Sequence, residues 1–278
     1  MYIFKSKKEL QKHLSAFGNG KTIGFTPTMG ALHQGHLHLI EQSNLKCDIS
    51  ICSIFVNPTQ FNNPNDLAKY PNTLTTDLEM LEKVKCDIVY NPPVNDLYAK
   101  GETAKSYDFG SLTTGLEGKF RPGHFDGMAT IIEKLLNIIK PTIAFFGQKD
   151  LQQLYIVKDL AEQMQSNTLI EGVETVRGKS GLAKSSRNKL LSESSKKEAS
   201  LIYNCLNYCK NNKEDGVSKL KIYIQQEFLK HENFTLEYAE FVALNTMLPI
   251  NDWGRVNKNA VCISAYHSGV RLIDNIIL

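Results

Sequence analysis

From Asp48 to Val56 the chain reads Asp-Ile-Ser-Ile-Cys-Ser-Ile-Phe-Val, apolar nearly throughout rather than at every second position. A strand without a polar face must be covered on both sides, the situation of a strand inside a parallel sheet with helices above and below it. Thr22-Ile23-Gly24-Phe25-Thr26 and Thr142 to Phe146 read as buried strands too, and shorter strands are expected at Asp87 to Tyr90 and Thr168 to Glu171. Helical spacing fills the gaps, over His36 to Ser43, Thr73 to Lys85, Met128 to Ile139 and Leu151 to about Met164. An N-terminal helix is expected from Lys7 to about Phe17, opened by a capping box at Ser6-Lys7-Lys8-Glu9 and stopped at Gly18-Asn19-Gly20. Strands alternating with helices over residues 21 to 172 predict an α/β fold with a doubly wound parallel sheet.

Beyond Val176 the character changes. A basic, small-residue stretch, Arg177 to Asn188, reads as a flexible loop. Two amphipathic helices follow, about Ser192 to Asn211 and Val217 to Lys230, then strands at Leu236–Ala243, Ala260–Tyr266 and Val270–Ile273. This predicts a first domain over residues 1–175 and a smaller α+β lid domain over 176–278. Asn62 to Pro64 is a loop, and Tyr98 to Gly123 is rich in glycine and proline, the pattern of a lid, a binding loop or a partner contact.

Composition excludes several classes. A net charge of +3 over 278 residues suits a small anionic substrate and is too weak for nucleic acid. The six cysteines contain no Cys-x-x-Cys pair, so a zinc ribbon or thioredoxin-type motif is unsupported, and Cys205 and Cys209, one helical turn apart, read as core. No apolar run reaches membrane length and Met1-Tyr2-Ile3-Phe4-Lys5 is no signal peptide. The expectation is a reduced, cytoplasmic protein with neither nucleic-acid nor membrane partners.

Ligands of doubly wound sheets bind beyond the carboxyl ends of the strands, and polar clusters stand after Phe25, after Val56 and after Phe146. The first is Pro27-Thr28-Met29-Gly30-Ala31-Leu32-His33-Gln34-Gly35-His36. A glycine-punctuated turn from strand into helix is an anion site in which free backbone N–H groups and the helix dipole face the ligand. It is neither a P-loop nor Gly-x-Gly-x-x-Gly; His-x-Gly-His points instead to a nucleoside triphosphate attacked at its α-phosphate. Zinc on His33 and His36 lacks a third ligand at a characteristic spacing. After Phe146, Gly147-Gln148-Lys149-Asp150 offers Lys149 as a phosphate clamp and Asp150 for a ribose hydroxyl or an amine, against the plainer reading of a solvated helix start. Ser185, Ser186 and Arg187 suit the charge of a departing pyrophosphate, with a basic linker as the competing reading. Gln60 and Gln153 are amides able to orient a carboxylate or hydroxyl. Arg121 is ambiguous in the same way.

These blocks resemble the pantothenate synthetases (pantoate–β-alanine ligases) along nearly the whole chain. The resemblance rests on Pro27 to His36, Ser53-Ile54-Phe55-Val56-Asn57-Pro58-x-Gln60-Phe61 and Tyr70-Pro71-x-Thr73. It extends through Arg121 to Phe125, Phe146-Gly147-x-Lys149-Asp150-x-Gln152-Gln153, Gly181-Leu182-Ala183-x-Ser185-Ser186-Arg187-Asn188 and Arg271 to Asn275. It implies a Rossmann-like domain, a small C-terminal domain, a homodimer, and an ATP- and Mg²⁺-dependent ligase. In that family pantoate attacks the α-phosphorus of ATP, and β-alanine then attacks the acyl adenylate. Carried over, Met29, Gly30, Ala31, Leu32, His33, Gln34, Gly35 and His36 line the ATP site, with His36 the general acid and His33 its companion. Gly147, Gln148, Lys149, Asp150, Val176, Lys184, Ser185, Ser186 and Arg187 complete it; His33, His36, Lys149 and Ser185 to Arg187 carry the catalysis. Gln60 and Gln153 hold pantoate, Gln60 also faces β-alanine, and Asn57 and Arg121 are further substrate contacts. No protein metal ligand is assigned, since Mg²⁺ is commonly held by the phosphates. Gln148, Ser180 and Lys184 depart from the usual glutamate, aspartate and apolar residue, which bears on nucleotide affinity rather than on the reaction. The alternatives are another nucleotidyltransferase of the superfamily, or a non-catalytic nucleotide-binding module.

Overall fold

The computed structural model describes residues 1–18, 20–61, 67–68, 70–254 and 258–278; the loop expected at Asn62 to Pro64, and Asn19, lie outside them. The chain divides into two compact units. One comprises Met1–Phe109, Arg121–Gly147 and Ile156–Val173; the other comprises Gly110–Phe120, Gln148–Tyr155 and Glu174–Leu278. The C-terminal part therefore groups with two internal segments that a single boundary at residue 175 assigns to the first domain.

The first unit holds a six-stranded parallel sheet in the order β1-β4-β3-β2-β5-β6. The strands are β1 (Tyr2–Phe4), β2 (Ile23–Thr28), β3 (Ile49–Ile54), β4 (Ile88–Tyr90), β5 (Ile143–Gly147) and β6 (Leu169–Val173). β3, the mostly apolar run, is buried at every position, Ser50 and Ser53 included. Phe25 and Ile51, both fully buried, each contribute about 1.5–3 kcal/mol by leaving water. The three residues of β1 are a strand that periodicity does not announce: Tyr2 and Ile3 are exposed on an edge, and only pairing with β4 makes the element.

From β2 the chain passes to β3 and β4 on one side and returns to β5 on the other, so the topological switch point falls between β2 and β5. Those two strands pair only at Gly24↔Ile143 and Phe25↔Ala144. Pro27 shows why the pairing stops. Ile23 O accepts from Thr142 N–H on the β5 side, and Thr28 O accepts from Phe55 N–H on the β3 side. Since successive residues alternate sides, the donor that proline lacks would have pointed to β5. The carboxyl ends of β2 and β5 are thus not laddered to each other, at the place where ligands of doubly wound sheets bind.

Two helices start otherwise than local pattern suggests. The Lys7–Ser15 helix makes no side-chain cap at Ser6; Lys7 N–H donates instead to Asp96 Oδ2 at 2.7 Å. The apolar helix begins at His124, not Met128, and runs to Ile139, with Gly123 left-handed before it. Gly127 looks like a breaker but marks a close approach. A Cβ there would lie 2.2 Å from Thr59 O and 2.6 Å from Gln60 Cα, so its absence lets the helix press on the Pro58–Gln60 turn.

The second unit is built on an antiparallel sheet, β7 (Phe234–Ala243), β8 (Asn259–His267) and β9 (Val270–Ile277), in that order. The Ser200–Asn211 and Gly216–Leu229 helices bury Leu206, Leu220 and Ile224 in one core with Phe241, Val261 and Ile263. Cys205 and Cys209 are free and buried in that core. A register shift between Leu236 and Tyr238 re-aims Glu237. Its carboxylate joins Arg271, whose Nη1 and Nη2 also donate to Glu117, each at 2.7 Å. Tyr238 donates to the same Glu117 at 2.8 Å, so the Leu116–Phe120 helix is tied to β7 and β9 by two largely buried carboxylates sharing one guanidinium.

Candidate functional site

At the carboxyl end of β2 the chain turns through Gly30 (φ 78°) and Ala31 (φ 51°) before entering the Gln34–Lys46 helix. Left-handed backbone at an alanine costs about 1–2 kcal/mol. Asp77, only 2% exposed, offsets that cost: Oδ2 accepts from Ala31 N–H at 2.9 Å and Oδ1 from Leu32 N–H at 2.8 Å. Each such bond to a carboxylate contributes about 1.5–3 kcal/mol. Thr73 Oγ1 donates to Oδ2 at 3.1 Å, and Leu32 is buried in the core beside Leu81 on Asp77's own helix. The sequence pattern missed Asp77, although a carboxylate four residues before a buried leucine on one helix face is the available signal. Asp77→Ala is expected to lower stability by about 3 kcal/mol in urea unfolding, and Asp77→Asn, which keeps one acceptor, by about half that; equal losses for the two would show that the amide bonds are not what Asp77 contributes.

The same contacts occupy five of the amides in the turn expected to be an anion site. Gly30 N–H donates to Thr28 Oγ1, Ala31 and Leu32 to Asp77, Gly35 to His33 Nδ1 at 3.1 Å, and His36 to His33 O. These five amides serve the turn itself. Because a backbone N–H donates to His33 Nδ1, that nitrogen is unprotonated, and the neutral ring carries its proton on Nε2. His33 and His36 stack with ring centroids 4.0 Å apart. Ala31 and Leu32, expected on the nucleotide, have side chains in the core.

Gln60 ends the 3-10 turn after β3 and is 9% exposed. Its Nε2 lies 2.8 Å from Met29 Sδ, which brings the second polar cluster against the first. Gln60 O accepts from His124 Nδ1–H at 3.0 Å, and Gln60 Oε1 accepts from Asn57 Nδ2 at 3.1 Å. Asn57, expected to touch substrate, is 1% exposed with its amide engaged by Gly127 O, Gln60, Thr59 and Tyr98. It supports Gln60 from behind. Arg121 stands at the residue whose carbonyl accepts from His124 N–H.

In the second unit another set converges. Lys149, Ser185 and Arg187 line one pocket together with Asn188 and Asp274. Asn275 Nδ2 donates to the carbonyls of Gln148 and Lys149, both at 2.9 Å, which fixes the Gln148–Asp150 turn after Gly147. Lys149 Nζ pairs with Asp150 at 3.2 Å. The basic stretch expected as a flexible loop is hydrogen-bonded into a hairpin and a turn. Lys184 N–H donates to Val176 O and Gly178 N–H to Leu182 O, a hairpin, and Ser186–Leu190 is a 3-10 turn capped by Ser185 Oγ accepting from Arg187 N–H. Arg177 holds the hairpin: it pairs with buried Asp274, donates to Gly181 O at 3.1 Å, and stacks 4.2 Å over the Tyr203 ring. The motif Arg271 to Asn275 thus supplies three anchors, for Glu117, for Arg177 and for the Lys149 turn. Gln153 lies in the first turn of the Leu151–Gln163 helix, next to buried Gln152, whose amide binds Leu112 O, Gly115 O and Glu117 N–H.

Among the described residues no group of three or more His, Cys, Asp or Glu side chains is placed to hold a metal ion, and none of the described helices is long and apolar enough to cross a membrane.

The profile of the pantoate-beta-alanine ligase family matches residues 2–277. A pantothenate synthetase of Flavobacterium psychrophilum is 42% identical, with 100% of each chain covered. The crystal structure of pantothenate synthetase from Thermus thermophilus is similar with a TM-score of 0.91 at 33% identity, covering 99% of both chains. That of pantoate-beta-alanine ligase from Francisella tularensis, complexed with beta-gamma ATP and beta-alanine, is similar with a TM-score of 0.83 at 36% identity, covering 100% of this chain and 97% of the other.

Proposed function

The chain belongs to the pantoate-beta-alanine ligase family, and on that premise we propose how its residues divide the work of joining pantoate to β-alanine with ATP. A pantoate carboxylate oxygen attacks the α-phosphorus; the bond to the bridging oxygen breaks and pyrophosphate leaves. The β-alanine amine then attacks the acyl carbon, and AMP departs with the former carboxylate oxygen. Adenylation needs in-line positioning and charge neutralisation rather than a protein nucleophile. The donor inventory fits that need: imidazoles at His33 and His36, an amide at Gln60, and cations at Lys149 and Arg187.

The single observation that carries this reading is the meeting of Gln60 and the Met29–His36 turn at the carboxyl end of β2, beside the switch point. There His36 serves as general acid to the phosphates and Gln60 holds the attacking acid. Lys149, Ser185, Ser186 and Arg187 are assigned to the charge of the leaving pyrophosphate, Gln153 to pantoate, and Val176, Lys184, Gln148 and Asp150 to the nucleotide. The protein's groups at these positions are cations, imidazoles, amides, hydroxyls and one carboxylate, Asp150, which is paired with Lys149; among the described residues no group of three or more His, Cys, Asp or Glu side chains gathers here to hold a dication. Mg²⁺ is accordingly assigned to the substrate, arriving with ATP on its phosphate oxygens. Residues 1–175 act as the nucleotide- and pantoate-binding domain and 176–278 as a lid, in a cytoplasmic homodimer.

The test is pyrophosphate release from ATP and pantoate without β-alanine, followed by AMP formation when β-alanine is added. Release with a different acceptor but not with pantoate favours another nucleotidyltransferase. ATP binding without AMP under any substrate pair favours a non-catalytic module. A gel-filtration mass of one chain refutes the dimer.

A further inference from the structure

We propose that Tyr98, Asn57 and the Gly127 carbonyl set the polarity of the Gln60 side chain, committing Nε2 as the donor presented to substrate; the inference rests on the reading of Gln60 as the group that holds pantoate's carboxylate. A primary amide is nearly symmetric in shape and opposite in charge at its two ends. Turned by half a revolution it packs alike but offers an acceptor where a donor stood. A carboxylate only accepts, so one of the two orientations binds it and the other repels it.

The orientation is dictated from the protein interior. Gly127 O can only accept, and it lies 2.9 Å from one end of the Asn57 amide, so that end is the NH2 group. Its second hydrogen is directed to Gln60 at 3.1 Å, which makes that atom the oxygen and turns Nε2 toward Met29 and the nucleotide motif. The acceptor end of Asn57 is closed by Tyr98 Oη at 2.7 Å and Thr59 Oγ1 at 3.1 Å. Burial pushes the Tyr98 phenol above its ordinary value, so it keeps its proton and donates at neutral pH. Asn57 and Tyr98 are 1% and 6% exposed, which keeps water from competing for these bonds. Gly127 can take this place only because it carries no Cβ. None of the three reaches substrate in this scheme; they are positioning residues.

The experiment measures pantoate KM, ATP KM and competitive inhibition by pantoamide, the uncharged primary amide of pantoate. Asn57→Asp supplies an oxygen that, ionised or protonated, cannot donate to both Gly127 O and Gln60 Oε1. It is expected to raise pantoate KM by roughly thirtyfold while pantoamide inhibition and ATP KM move by less than about threefold, because only the carboxylate senses the lost polarity. Tyr98→Phe keeps the shape, leaves the Thr59 bond, and is expected to shift the pantoate-to-pantoamide preference in the same direction by about threefold with kcat retained. Gln60→Ala is the control, with pantoate KM rising. If Gln60→Ala raises it but both other variants weaken pantoate and pantoamide alike, or neither, the polarity relay is overturned. If Gln60→Ala leaves pantoate KM unchanged, the substrate-binding reading itself falls and takes the relay with it.

Discussion

Replacing His36 by alanine is expected to slow pyrophosphate release from ATP and pantoate by about a thousandfold, the scale of a lost acid or charge-stabilising donor. The fold should not change with it. The amide of residue 36 still donates to His33 O, Asp77 still holds Ala31 and Leu32, and the Gln34–Lys46 helix keeps Leu37, Leu39 and Ile40 in the core. What disappears is one ring of a stacked pair. His33→Ala is a different experiment, because His33 Nδ1 also accepts the Gly35 amide at the helix start; it should lower both stability and rate. Steady-state rates with thermal melts on both variants separate the two roles. Near-normal turnover by His36→Ala, with an unchanged melt, would remove it from the chemistry.

Gly127→Ala is expected to cost as much stability as the loss of the Asp77 carboxylate. Its methyl would be set 2.2 Å from Thr59 O, 2.5 Å from Thr59 C and 2.6 Å from Gln60 Cα. These are backbone atoms, so no side-chain rotation relieves the overlap. Either the helix or the Pro58–Gln60 turn must retreat, at a cost of about 3 kcal/mol. Retreat also parts Gly127 O from Asn57, so the lesion reaches Gln60. A lowered urea midpoint together with a raised pantoate KM is the expected pair of results. An unaltered midpoint would mean that the helix does not press on the turn as described.

How legible these features are in the sequence depends on how local their causes are. β3 announces itself because being covered on both faces demands apolar residues at both parities. The polar clusters after β2, β3 and β5 are legible because the chain must turn there and sheet topology says where ligands sit. Asp77, Tyr98 and Gly127 are not legible in this way. Each acts through a partner remote in sequence, 46 residues away for the Asp77 bond to Ala31, 41 for Tyr98 to Asn57 and 70 for Asn57 to Gly127 O. No local period records such a partner, and Gly127 in particular imitates a helix breaker. Arg177 to Asn188 misleads in the opposite sense. Its glycines, serines and lysines announce no regular structure, yet Arg177 on Asp274 and the carbonyl of Val176 tie it into a hairpin.

Pro27 bears on how such a sheet tolerates revision. Parallel strands lying side by side tend to zip wherever both offer hydrogens and lone pairs, and an unladdered gap between them is an invitation to anneal. At the end of β2 that invitation is withdrawn by covalent structure: the residue facing β5 has no hydrogen to give. Any replacement at this position, however well it packs, restores a donor aimed into the gap. The residue thus works as a stop on a zipper, keeping a rigid sheet permanently parted at one place without a hinge or a moving part.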